Sequence, residues 1–448
     1  MSALTRTRPA PPVRMVHLGL GNFYRAHQAW YTNRASDAAD WGYAAFEGRS
    51  NKIAPILNAQ DNVYTLAFAN ADGDKYERIE SISRTHAGTD YEAWVRYFES
   101  PEVVIASTTI TEAGYIFNGS TIDMSNEQFA QDLERLRAGG IDVVSAPARM
   151  VAGLRARRAA GVGGMALMSC DNLPDNGAVL KEVTIATARL IDSELAAWIE
   201  SNVSFVATMV DRITPRVTDD DMQRIDAAIG VHDASPIVAE SFGEWVIAGN
   251  FPAGRPDWES AGVTFADDVA PHERRKLWML NGSHSLLAYV GLQRGFTYVD
   301  EAIRDPFCLQ TVQLWWDDAL PQLEGEPTSL RAYCQDLRAR YENPRIRYQL
   351  AQIGTDGSLK IPVRWVPAAT GTLAQSLIPT AFARGMAAFA LYVQHGDVRD
   401  ARRDQVLACR QSDAHATLRA LLPLLAPTIA DNAAMLAAID AEIDQFST

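Results

Sequence analysis

Cysteine is scarce in this 448-residue chain. Only Cys170, Cys308, Cys334 and Cys409 occur, with no CxxC pair and no zinc-finger spacing. A disulfide scaffold and a cysteine-built zinc site are therefore excluded. The four read as packed thiols of a reducing compartment. Positive charge is in deficit: 41 Lys and Arg against 55 Asp and Glu leave a net charge of −14. Nucleic acid and anionic membranes need basic patches and are not expected as partners. A small anionic substrate stays open, because a pocket can be locally positive. No run approaches the roughly 18 apolar residues of a membrane span. The first fourteen residues carry Pro9, Pro11, Pro12 and three arginines in place of the apolar stretch of a signal peptide. Residues 1–12 are expected to be a disordered tail, and the protein is expected to be cytoplasmic.

What is present is an ordinary globular composition, 47% hydrophobic and 21% charged. Single cores rarely grow past about 250–300 residues, so two domains are expected. Val13–Leu18, Tyr43–Glu47, Val103–Ser107, Ala166–Cys170 and Phe205–Met209 are apolar runs of strand length. Helical patterns lie between them, at Phe23–Ala35, Ala146–Ala160 and Val179–Ser201. Continuous apolar strands alternating with helices predict a parallel sheet covered on both faces, an α/β fold of Rossmann type over residues 13–270. From about Pro271 helical patterns dominate, including His272–Leu292, Thr328–Tyr341 and Thr380–Gln394. A mostly α-helical domain is expected over 271–448, with the boundary near Ala266–Pro271.

Three sets of residues carry chemistry. The first is Gly19-Leu20-Gly21-Asn22-Phe23, on the first strand-to-helix turn. Glycines there allow a tight turn and a close approach of backbone N–H groups to a pyrophosphate, and the next helix adds its positive dipole end. Tyr24 stands where the third glycine of GxGxxG is usual. Glu47, after the second strand, suits the adenosine ribose hydroxyls and so NAD. Arg49, two residues on, suits the 2′-phosphate of NADP, so NADP is not excluded.

The second set is Lys276, Asn281 and His284. At 100° per residue, Asn281 lies about 140° and His284 about 80° round from Lys276, so all three can border one cavity, Asn281 least comfortably. Their neighbours Leu277, Trp278, Met279, Leu280, Leu286 and Leu287 predict a buried helix. Lysine, amide and imidazole are costly on such a helix unless they pair or work. Burial would bring a lysine toward neutrality, which a general base needs. The third set follows the strands: Glu112, Asp171-Asn172 and Asp211-Arg212. Open parallel sheets bind ligands beyond the carboxyl ends of their strands. Turn chemistry ahead of Pro174 and Gly177 competes as the reason for Asp171 and Asn172.

Six blocks in order then resemble one family: HLGLGNFYRAHQAWY (His17–Tyr31), TITEAGY (Thr109–Tyr115), SCDNLPDNG (Ser169–Gly177), MVDRITP (Met209–Pro215), GRPDW (Gly254–Trp258) and KLWMLNGSHS (Lys276–Ser285). The chain resembles the long-chain mannitol dehydrogenases, a family that includes mannitol 2-dehydrogenase, arabinitol dehydrogenase and fructuronate reductase. The resemblance implies a Rossmann-type domain, a helical domain and an active site between them. It implies metal-independent hydride transfer between NAD(P) and the C2 carbon of a small-molecule sugar alcohol or ketose, D-mannitol and D-fructose being the type case. Lys276 matches the family's general base, Asn172 and Asn281 its oxygen-polarising amides, and His284 its orienting imidazole. Glu112 or Asp211 could relay the proton. The stretch Asp356–Arg364 resembles the family's substrate-contacting segment. There Lys360 suits a polyol hydroxyl, and Arg364 suits the carboxylate of a sugar acid. A hexuronate reductase of the same family is thus the alternative substrate reading. A protein that binds sugar or nucleotide without catalysis is the alternative from another class.

Overall fold

The computed structural model describes residues 2–48, 51–70 and 72–446. The chain forms two compact units, Met1–Ala270 and Pro271–Thr448. In the first, the strands are β1 (Val13–Leu18), β2 (Gly42–Phe46), β3 (Tyr64–Phe68), β4 (Lys75–Ile79), β5 (Ile82–His86), β6 (Ile105–Thr108), β7 (Met165–Ser169), β8 (Val203–Asp211), β9 (Ile237–Ala239), β10 (Glu244–Ala248) and β11 (Thr264–Phe265).

Eight of them build one sheet in the order β11-β10-β8-β7-β6-β1-β2-β5. Every neighbouring pair is parallel except β8 and β10. The expected parallel sheet therefore forms, with an antiparallel departure at one end. Side chains alternate between two cores, one on each face: Val16, Ala44, Phe46, Ala106 and Leu167 point to one, and Met15, Tyr43, Ala45, Ile105 and Met168 to the other. Burial on both faces is why these strands read as unbroken apolar runs. A smaller sheet, β4-β3-β9, was not expected. Its strand β4 has mostly half-exposed side chains and no apolar run.

The strand order reverses around β1, whose neighbours are β2 on one side and β6 on the other. Ligands of open α/β sheets bind at such a switch point, beyond the strand carboxyl ends. There Gly19 N–H donates to Phe46 O and Thr109 N–H to Leu18 O, at 2.9 Å each.

Three expectations need correcting. The helix Phe23–Ala35 is two helices, Asn22–Ala26 and Gln28–Arg34, broken at His27 with φ −121° and ψ −87°. The pattern Val179–Ser201 also divides, because the Asp192 carboxylate caps a new helix, Ser193–Asn202, accepting from Glu194 N and Leu195 N. The segment ahead of β1, expected to be a disordered tail, is tied down. Leu4 is buried and its N–H donates to His232 O at 2.9 Å. The Arg6 guanidinium donates to Asp61 O and Glu80 O, and Thr7 N–H to the Glu80 carboxylate. Proline there sets an extended strap rather than a free end.

The second unit is helical, as expected. Its central helix, Ser283–Gln293, is buried from Ser283 to Gly291. Around it lie Pro306–Ala319, Pro327–Glu342, Thr380–His395, Ala414–Leu425 and Ala433–Phe446. The Arg384 guanidinium and the Glu442 carboxylate form a buried ion pair at 2.8 Å, and Arg384 also donates to Thr311 Oγ1. Among the described residues no helix is long and apolar enough to cross a membrane.

Candidate active site

At the switch point, Gly19 has φ +119°, and a Cβ there would lie 2.1 Å from Thr109 O. No other residue fits. Gly21 differs: its φ is −99°, and a Cβ would meet nothing nearer than Gly19 O at 3.9 Å. Space beside the Gly21 backbone is what a pyrophosphate would use. Asn22 and Phe23 follow at the helix start, both half-buried. Asn22 Oδ1 accepts from the Arg25 guanidinium, and Phe23 stacks on His27. Beneath the turn lies His17, which the sequence reading did not single out. It is fully buried, stacks on Tyr24 with ring centroids 3.6 Å apart, and meets Ser107 Oγ and Thr109 Oγ1 at 2.8 and 2.9 Å. Burial pulls its imidazole down to about 3, so it is a neutral strut.

Glu47 directly follows β2 and has a structural task that the sequence did not announce. Its buried carboxylate accepts from the backbone N–H groups of Lys52, Ile53 and Ala54, capping the helix Ile53–Ala59. Arg49 lies outside the described residues.

At the ends of β6 and β7, the buried Asp171 is a hub. Its carboxylate accepts from Ile110 N at 2.6 Å, Thr111 N at 3.0 Å, Thr108 Oγ1 at 3.1 Å and Tyr115 OH at 2.6 Å. Burial raises its pKa, against the opposing pull of those donors. The hub holds Thr111 at φ +70° and sets the 3-10 turn Glu112–Tyr115, on which Glu112 is exposed. Asn172, the next residue, is exposed at the strand end. Turn chemistry is present as well: Asn176, buried, donates to Asp171 O and Thr208 O. Asp211 is buried at the end of β8. Arg212 beside it donates to Phe242 O and Ala26 O and lies over the Trp30 ring at 4.1 Å.

In the helical unit, Lys276–Gly282 is a π-helix continuing into the α-helix Ser283–Gln293. Its hydrogen bonds run i→i+5, so residues five apart approach one side. The expected 140° between Lys276 and Asn281 assumed an α-helix. The wider turn brings the two closer to one face. Lys276 and Asn281 are half-buried while Trp278, Met279 and Leu280 between them are buried. His284 is buried, stacked on Tyr341 at 5.3 Å and tilted against Tyr348 at 5.5 Å. Arg364 comes to the same turn: Nη1 donates to Asn281 O at 3.2 Å and to Ser285 Oγ at 2.9 Å. The Lys360 Nζ donates instead to Ile353 O and Thr355 O, at the end of the helix Leu350–Ile353. Both cations lie on or at the end of a helix, Gly357–Arg364, where a loop was the rival reading. Among the described residues, no three His, Cys, Asp or Glu side chains gather as a metal site would need.

Comparison with known proteins agrees with both units. The family model described as the mannitol dehydrogenase Rossmann domain matches residues 13–260, and that of the mannitol dehydrogenase C-terminal domain matches residues 268–446. D-mannonate oxidoreductase of Escherichia coli (strain K12) is 38% identical over 362 residues, 78% of this chain and 74% of that protein. D-arabinitol 4-dehydrogenase of Ralstonia nicotianae is 36% identical over 391 residues, 85% of this chain and 83% of that one. The solved structure of Pseudomonas fluorescens mannitol 2-dehydrogenase, a ternary complex with NAD and D-mannitol, superposes with a TM-score of 0.84 at 33% identity, covering 98% of this chain and 92% of that one. With both of its halves matched, this chain belongs to the mannitol dehydrogenase family of oxidoreductases.

Proposed function

We propose that the protein is an NAD-linked polyol dehydrogenase that interconverts an open-chain sugar alcohol and its 2-ketose, D-mannitol and D-fructose being the type pair. One observation carries the reading: Lys276, Asn281 and His284 sit on and just after a π turn at the head of a buried helix. π turns are rare and are frequent at functional sites.

The glycine turn fits a dinucleotide, with Gly19 fixing the bend and Gly21, Asn22 and Phe23 bordering the space beside it. The dinucleotide, when bound, supplies the hydride acceptor. Lys276, in its neutral form, takes the hydroxyl proton as the alcohol is oxidised, and returns it in reduction. Asn281 donates to the substrate oxygen as negative charge develops on it, and Asn172 is assigned the same polarising task. His284, wedged between Tyr341 and Tyr348, orients substrate. Asp211 and Glu112 are assigned the relay of the proton to solvent. No metal takes part, since the lysine supplies the basicity that a bound cation would otherwise create. The Glu47 carboxylate lies just after β2 as well as capping the helix Ile53–Ala59, and a carboxylate at that place disfavours a 2′-phosphate, which favours NAD.

A sugar acid is the second reading. It is favoured by Arg364 lying against Asn281 and Ser285, and by the likeness to D-mannonate oxidoreductase. The test is a panel of D-mannitol, D-sorbitol, D-arabinitol, D-mannonate, D-fructose and D-fructuronate with NAD(H) and NADP(H). It is followed at the NADH absorbance band, with and without a chelator. Turnover of the polyols and fructose is expected, insensitive to chelation. Turnover of mannonate and fructuronate alone would move the assignment to the acid. Ligand binding without any hydride transfer would end the enzyme reading.

A further inference from the structure

The backbone carbonyls of Trp278, Met279, Leu280, Asn281 and Gly282 are consecutive, and each accepts a hydrogen bond from a side chain. Trp315 Nε1–H donates to Trp278 O at 2.7 Å and Trp316 Nε1–H to Met279 O at 3.0 Å. Tyr341 OH donates to Leu280 O at 2.9 Å. The Arg364 guanidinium donates to Asn281 O at 3.2 Å and Trp365 Nε1–H to Gly282 O at 2.9 Å. The three indoles and the phenol are buried, Trp315 and Trp365 completely. They come from three different helices, Pro306–Ala319, Pro327–Glu342 and, for Trp365, the start of Val366–Ala374. Gly282 permits the close approach, since a Cβ there would lie 2.9 Å from Trp315 Nε1.

A helix is normally its own partner. Each carbonyl oxygen has two lone pairs and can take an outside donor beside a helix bond, as Met279 O and Leu280 O do while also accepting from Ser283 Oγ. Five in succession is nevertheless a concentrated bias on one turn. An α-helix packs its hydrogen bonds better than a π turn, and isolated π turns are rare. A buried indole N–H usually takes an acceptor, and all three of these do. The register these donors select is the one that brings residues five apart toward one face.

We infer that Trp315, Trp316, Tyr341, Arg364 and Trp365 form a donor cradle that selects the π register of Lys276–Gly282, and thereby positions Lys276 against Asn281 for catalysis. They are positioning residues, acting through the backbone. The inference rests on the proposed role of Lys276. It also gives Arg364 a function independent of any substrate carboxylate.

The variants Trp315→Phe and Trp365→Phe keep a large ring in place and remove only the donor. Each full-length variant is compared with wild type for kcat, KM, the pH profile of polyol oxidation, NADH affinity, the thermal midpoint, and hydrogen exchange of the amides of residues 280–286. The cradle predicts a kcat lower by on the order of tenfold for each and 10²-fold for the double variant, the scale of a misplacement of about 1 Å. It also predicts a displaced pH profile, faster exchange at 280–286, and unchanged NADH affinity. A structural role alone would lower the thermal midpoint and leave kcat and pH profile at wild-type values, and that result overturns the inference. So do wild-type kcat and wild-type exchange together in the double variant. Lys276→Ala, run alongside, separates the two claims. Should it keep turnover, the base assignment falls. The cradle's hold on the π register is then judged by the exchange readout, where faster exchange supports it and unchanged exchange refutes it.

Discussion

Alanine at Gly19 and alanine at Gly21 should fail in different ways. At Gly19 the methyl would be forced into φ +119° and to within 2.1 Å of Thr109 O and 2.7 Å of Thr109 Oγ1. A side chain in that region of backbone space costs about 1–3 kcal/mol. The clash adds about 1–3 kcal/mol as β1 and β6 shift apart. The sum, about 2–6 kcal/mol, falls on the centre of the sheet, so Gly19→Ala should lower the thermal midpoint by several degrees or prevent folding. Gly21→Ala has an ordinary φ of −99° and 3.9 Å of clearance. It should melt like wild type. Its methyl would stand where a pyrophosphate approaches the backbone, and a loss of about 1.4 kcal/mol there is tenfold in affinity. Differential scanning fluorimetry and NADH fluorescence titration read the two effects. The reasoning is refuted if Gly19→Ala melts at the wild-type temperature, or if Gly21→Ala binds NADH as tightly as wild type.

Two further outcomes follow from buried and surface carboxylates. Asp171→Asn leaves four donors facing a group with one acceptor oxygen, and should cost about 2 kcal/mol. The N-terminal unit should melt lower and polyol turnover should drop, because Asn172 follows directly; equal stability would mean that the hub is redundant. His415, bonded to Asp440 at 2.9 Å and Asp444 at 3.1 Å, has a raised pKa, first through the Asp440 hydrogen bond. A raised folded pKa gives stability that is complete below the ordinary histidine value of about 6.5 and lost as pH climbs through the raised one. The side chain is 40% exposed, so the effect is a few tenths of a kcal/mol. His415→Gln should flatten thermal midpoints across that window, and an unchanged slope would assign the pH dependence elsewhere.

Much of this was legible in the residues, for reasons that differ by element. Strands β1, β2, β6 and β7 were readable because both of their faces are buried, leaving no polar interruption. Strand β4, edge-like and half-exposed, gave no such signal. The break at His27 was invisible because Ala26 and Gln28 are both compatible with a continuing helix. The assignment of Glu47 to a ribose followed from its place after a strand. Nothing in the sequence announced that Lys52, Ile53 and Ala54 would present three N–H groups to it. The angle between Lys276 and Asn281 differs from the expected one because a helical pattern in sequence does not distinguish an α-helical from a π turn. The signal for a π turn lies more than thirty residues away, in the adjacent pair Trp315-Trp316 and in Trp365, and becomes meaningful only once the fold brings them to one backbone. His17 was passed over because a histidine within an apolar strand looks like packing, and as a neutral strut that is what it is.

The most direct measurement is the steady-state rate of polyol oxidation by Lys276→Ala across pH, with NADH affinity measured on the same preparation. A positioned proton acceptor contributes about 10²–10⁴-fold, so turnover should fall by that factor or more. The rise of rate with pH in wild type should disappear, and NADH should bind as before. Near-normal turnover with the wild-type pH profile would place the base on another residue and contradict the mechanism proposed for this protein.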